Sequence, residues 1–191
     1  MGFDCLIGTA IFQIGGICSI TMTLQVVVSI TYFAQKIFIL YGKKSGWLVG
    51  VVAALLAIVY YQRIGLHIYV VLNIGMSVLM AYGFFKKADK KPMVELAIRL
   101  VTLVVMGYMT FHVFRGTMTI VELISSAVLL FGTYLLTHDY MKSGWGLFFV
   151  GHAFAVPLGY EKMQYIFMWF QVASAIASVV GMMQKPKKPI P

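Results

Sequence analysis

The chain has 191 residues, of which 61% are hydrophobic and 11% charged, and its mean hydropathy is +0.90. Soluble domains carry about 25% charged residues, so this composition excludes a soluble fold, which has no means of covering so much apolar surface. The formal charge of +9 then reads as a topology signal at a membrane and not as a nucleic-acid surface.

A bilayer core of about 30 Å takes about 20 apolar residues per helix, and the chain supplies such runs one after another with short basic breaks. Residues 1–19 form an N-terminal apolar segment. Cys5 to Gln35 runs without a charge and is too long for one ordinary span, so a break is expected at Gly15-Gly16. Gly2 to Cys18 then forms a short extra helix, interfacial or inserted. Asp4 stands where a signal peptide carries positive charge, so a cleaved leader is not expected. Cys5 and Cys18 lack CxxC spacing and imply neither a disulfide framework nor a zinc site. Seven helices follow: Ile20 to Leu40, Gly46 to Tyr61, Leu66 to Phe85, Met93 to Phe114, Met118 to Leu136, Gly144 to Tyr160 and Met163 to Met183. The fold class is an all-α membrane protein with seven transmembrane helices.

Lys44-Ser45-Gly46-Trp47 recurs as Lys142-Ser143-Gly144-Trp145, each copy at the start of an apolar helix. The same offset of 98 residues aligns Ala57 with Ala155, Ile68 with Ile166, Gly83 with Gly181 and Lys87 with Lys185. An internal duplication follows, with a first three-helix repeat at 20–87, a linker transmembrane helix within 88–116, a second repeat at 117–185 and a basic tail at 186–191. Two three-helix units joined directly would be inverted; the linker helix restores a parallel relation, a 3+1+3 arrangement with its two-fold axis along the membrane normal.

On this count Lys36, Lys43, Lys44, Lys86, Lys87, Lys90, Lys91, Lys142, Lys185, Lys187 and Lys188, eleven of the 15 basic residues, fall on one side. Arg63, Arg115 and Lys162 fall on the other, and Arg99 lies within the fourth helix. The positive-inside rule puts the N-terminus outside and the C-terminus in the cytoplasm.

Polar groups in apolar helices are costly and turn toward the bundle interior or a watery path. Asn73 lies mid-way along the third helix and Gln171, 98 residues on, in the seventh. Two carboxamides at matched depth either bracket one ligand, offering donors and acceptors to an amide or ribose, or tie helices together. His152 either bonds a ligand or proton path or packs as a neutral ring against a neighbour. Pro157 should kink or weaken its helix. Trp47 and Trp145 either stack on a flat heterocycle or sit in an aromatic belt. Trp169, with Tyr69, Tyr165 and Phe170, lies nearer the depth of the carboxamides and is a comparable stacking candidate. Glu95 and Arg99 are spaced to neutralise each other. Glu122, in the first turn of the fifth helix, either faces headgroup water or attracts a cationic substrate.

Gly42-Lys43 before Trp47, then Gly65-Leu66, Leu72-Asn73 and Tyr82-Gly83-Phe84 resemble the first repeat of the PnuC family of vitamin transporters. Tyr134-Leu135, Trp145, Gly159-Tyr160 and Gly181 are similar to its second, and the resemblance covers roughly residues 20 to 187. It departs from the pattern in having Phe84 and Phe148 where tryptophans are expected. The wider fold resembles the SWEET sugar transporters, whose Pro-Gln pair is absent here. The resemblance implies facilitated uptake of nicotinamide riboside, driven by cytoplasmic phosphorylation of the cargo, with thiamine or riboflavin as the alternative cargo. It also implies the cytoplasmic (inner) membrane and a dimer or trimer. The expected partners are the lipid bilayer and a small-molecule substrate, with no nucleic acid.

Enzyme readings find no residues to work with: there is no HExxH, GxSxG or Walker loop and no intramembrane aspartate pair. No lysine lies between Lys162 and Lys185 to hold retinal in the last helix. No cofactor or metal is expected. A membrane scaffold that transports nothing is the remaining class.

Overall fold

The computed structural model describes residues 14–86, 92–161 and 164–184. The expectations for residues 1–13, including Cys5, for Lys87, Lys90, Lys91, Lys162 and Met163, and for the basic tail lie outside the described residues. Within them the chain forms seven helices: α1 (Ile14–Leu40), α2 (Ser45–Arg63), α3 (His67–Phe85), α4 (Pro92–Phe114), α5 (Ile120–Thr137), α6 (Met141–Glu161) and α7 (Tyr165–Met183). Six of them are long and apolar enough to cross a membrane, the pattern of a multi-pass membrane protein. α6 falls outside that set because Lys142, Ser143, His152, Pro157 and four glycines dilute its apolar content, and it lies against α5 and α7.

One expectation needs correction here. α1 begins at Ile14 and runs through Gly15-Gly16, so that pair is not a break. A helix in an apolar medium keeps its backbone hydrogen-bonded because no water competes for it, and glycine there costs only its conformational freedom. α6 runs from Met141 to Glu161 with Pro157 inside it.

Short polar turns end the helices in a consistent way. After α1 the Gly42 amide donates to Ile39 and the Lys43 amide to Phe38, with Gly42 at φ 70°. After α5 the Asp139 amide donates to Leu136 and the Tyr140 amide to Leu135, and Asp139 takes φ 67°. Both are left-handed closures that satisfy the last carbonyls of a helix. α5 starts two residues later than expected because Thr119 caps it. Its side chain accepts from the Glu122 amide at 3.2 Å, and Glu122 Oε2 accepts from the Thr119 amide at 2.8 Å. Replacing Thr119 with Ala removes one arm of this reciprocal box and should cost about 1 kcal/mol, read as a lowered unfolding midpoint of the detergent-purified protein.

Each helix buries one stripe. In α2 this is Gly46, Trp47, Gly50, Ala53, Ala54, Ala57, Tyr60 and Tyr61; in α6 it is Gly144, Trp145, Phe148, Gly151, His152, Ala155 and Gly159. Every buried position of α6 is a buried position of α2 displaced by 98 residues. Small residues dominate both stripes, which lets backbones approach where lipid tails offer no hydrophobic drive for association.

α1 packs on α2, α2 on α3, α3 on α5, α5 on α6, α6 on α7 and α7 on α1, so six helices close a ring. α4 stands outside it against α3 and α5 alone, burying Ile98, Thr102, Val105 and Met109 and leaving Leu96, Leu100, Leu103 and Val104 exposed. On α4, Arg99 approaches Glu95 to 4.0 Å, the expected i,i+4 pair.

Candidate functional site

The ring lines a cavity of about 940 Å³ of atom-free space, its open mouth and the solvent in it included. All six ring helices, with the residues just before α3 and α7, line it; α4 does not. Asn73, Gln171, His152 and Tyr69, four of the residues singled out from the sequence, meet on its wall.

Asn73 is buried in α3 between two neighbours. The Tyr32 hydroxyl of α1 donates to its Oδ1 at 2.5 Å, and its Nδ2 donates to the Tyr69 carbonyl at 2.7 Å. Gln171 is buried in α7, where His152 Nδ1 of α6 donates to its Oε1. Each carboxamide thus ties two helices of the ring together while lining the cavity, so the two alternatives stated for them are not exclusive. With Nδ1 as the donor, the His152 ring is the tautomer whose Nε2 is an acceptor, and that buried atom has no partner among the described residues. Tyr69 stacks on Tyr61 with centroids 5.0 Å apart, and its hydroxyl donates to Glu122 Oε1 at 3.5 Å.

Phe170 lines the cavity as well, and the remaining candidates lie elsewhere. Trp47 and Trp145 are buried but do not line the cavity, so neither stacks on a ligand there nor sits in an exposed belt. Each indole covers a glycine instead: a Cβ on Gly83 would lie 2.7 Å from Trp47 Cδ2, and one on Gly181 would press against Trp145 Cε2 and Cγ at 2.6 Å. Trp169 is 66% exposed, one step around the helix from Phe170, which does line the cavity. Tyr165 is exposed too. Glu122 is buried in the capping box of α5, does not line the cavity, and reaches its wall through the Tyr69 hydroxyl.

The cavity also has residues the sequence reading passed over. Lys36 was counted among the basic residues of one membrane side, yet it is 4% exposed and lines the cavity. Its Nζ lies over the rings of Phe170 at 4.7 Å, Tyr32 at 5.7 Å and Phe148 at 6.0 Å. Gln35 beside it is buried, with Nε2 unpartnered among the described residues. Ser125, Ser126 and Gln164 add to the polar part of the wall, and the Ser125 hydroxyl donates to the Gly151 carbonyl at 3.0 Å. A signal for this group was present in α1: Gln25, Ser29, Tyr32 and Lys36 recur at helical spacing and put one polar stripe on an otherwise apolar span.

No family model matches the chain, and neither the curated proteins nor the solved structures give a match. Function is therefore argued from the cavity itself.

Proposed function

We propose that the chain is a transporter that facilitates uptake of nicotinamide riboside or a related vitamin across the cytoplasmic membrane. The observation that carries this reading is a cavity at the centre of a six-helix ring, with hydrogen-bonding amides from α3 and α7 on its wall and aromatic rings around them. Such a site, apolar with a few placed polar groups, suits a flat heterocycle joined to a sugar. In this reading α1–α3 and α5–α7 are parallel repeats joined by α4. Its support is positional: the buried stripes of α2 and α6 share one register, as do Asn73 and Gln171. Within the ring, the helix neighbours are also unchanged when α1, α2 and α3 are exchanged with α5, α6 and α7, α4 alone breaking the symmetry. Cargo enters from the side of the N-terminus, binds between the units and leaves to the cytoplasm as they rock about it, with phosphorylation inside making uptake one-way. The resemblance to the PnuC family supplies that last element and the choice of vitamin.

A second reading has its own observation: Asn73 and Gln171 both spend hydrogen bonds on neighbouring helices, as they would in a membrane scaffold. Uptake of labelled nicotinamide riboside, thiamine and riboflavin by cells lacking their own carriers separates the two. Saturable uptake of one vitamin is the expected result. Uptake of none into cells or into liposomes carrying the protein would leave the scaffold.

A further inference from the structure

Lys36 is a buried amine on the cavity wall with no carboxylate beside it among the described residues. The ion pairs among the described residues are Lys86 with Asp139 and Arg99 with Glu95, and no carboxylate lines the cavity. Ring faces of Phe170, Tyr32 and Phe148 supply its surroundings, an arrangement that supports a cation through the ring quadrupoles but uses up none of its three N–H donors. Gln35 adds a second buried and unpartnered donor at the next position, and His152 adds an unpartnered acceptor on the same wall. Buried polar groups left without partners in a cavity are what a ligand completes.

We infer that Lys36 and Gln35 receive the acidic end of the cargo, so that the cavity selects a heteroaromatic ligand bearing a carboxylate over one bearing only a positive ring. This rests on the transporter reading and puts the carboxylate analogue of nicotinamide riboside in place of the amide as the preferred cargo. A carboxylate accepts from both donors, and a charge-assisted bond to Lys36 is roughly twice as strong as a neutral one. The rings around Lys36 then flank the heterocycle attached to that carboxylate. A pyridinium amide placed there brings a second positive charge toward an ammonium that has no counter-ion.

The matched probes are nicotinic acid riboside and nicotinamide riboside, which share ring and sugar and differ in carboxylate against amide. Both are titrated calorimetrically into the full chain in nanodiscs, as wild type, Lys36→Met and Lys36→Arg, with thermal melting of each. The wild type should bind the acid at least about tenfold more tightly than the amide, the scale of one charge-assisted hydrogen bond. Lys36→Met should weaken the acid alone and abolish the preference, and Lys36→Arg should keep part of it. Melting of Lys36→Met at or above the wild-type temperature is expected, because a buried unpaired charge has been removed. Equal binding, a preference for the amide, or a preference that survives Lys36→Met overturns the inference while leaving a transporter of the amide standing. Binding of neither probe, together with no vitamin uptake, removes both readings.

Discussion

Asn73→Leu should weaken vitamin binding by about ten- to a hundredfold, the range set by about 1–3 kcal/mol for a buried polar group stripped of its partner. The loss has two sources. The carboxamide no longer presents its remaining N–H to the cavity, and the Tyr32 hydroxyl, which donates to Asn73 Oδ1 at 2.5 Å, is left without its acceptor. Tyr69 also loses the bond from Asn73 Nδ2 to its carbonyl at 2.7 Å, so the ring stacked on Tyr61 is less firmly placed. Gln171→Leu should act in parallel by freeing His152. Calorimetry of both variants decides the matter: unchanged affinity with lowered stability would assign the two residues to helix packing alone.

The largest stability effect is expected at the two glycines under the indoles. A Cβ on Gly83 would stand 2.7 Å from one atom of the Trp47 ring and 2.8 Å from another, and a rigid bicyclic ring has no flexible end to move aside. Gly83→Ala should therefore cost about 1–3 kcal/mol, the range for overpacking in a filled core. Gly181→Ala, against Trp145, should cost a similar amount. Trp47→Phe alone leaves a void, yet combined with Gly83→Ala it should recover part of the loss, a coupling that a double-mutant cycle measures. Reversible unfolding in mixed micelles provides the free energies. A neutral Gly83→Ala would mean that the indole does not pack there.

These two predictions show where the sequence was legible. All seven helices stand where apolar runs lie between lysine and glycine turns, because span length is set by the bilayer and backbone satisfaction forbids much else. Asn73 and Gln171 are conspicuous as polar residues in apolar helices, and both line the cavity. Trp47 and Trp145 were misplaced because both sequence readings assumed that a tryptophan at a helix end is accessible, whereas a glycine on the neighbouring helix lets the indole lie flat against backbone. Lys36 was misplaced because charge counting assigns any lysine near a helix end to the water side. Its burial depends on which way α1 turns in the ring, and that follows from contacts with α2 and α7 that no local pattern encodes. Glu122 was read as exposed because the pattern Thr119-Ile120-Val121-Glu122 was not taken as a capping box.

The ring's two long-range seams are unlike. Where α3 meets α5, α4 lies across both, and at its end Lys86 clasps Asp139 at 2.5 Å and the Thr137 carbonyl at 3.0 Å. Where α1 meets α7, no third helix among the described residues covers the join. The ring is thus braced along one side by α4 and bare along the other, where α1 and α7 alone form the join.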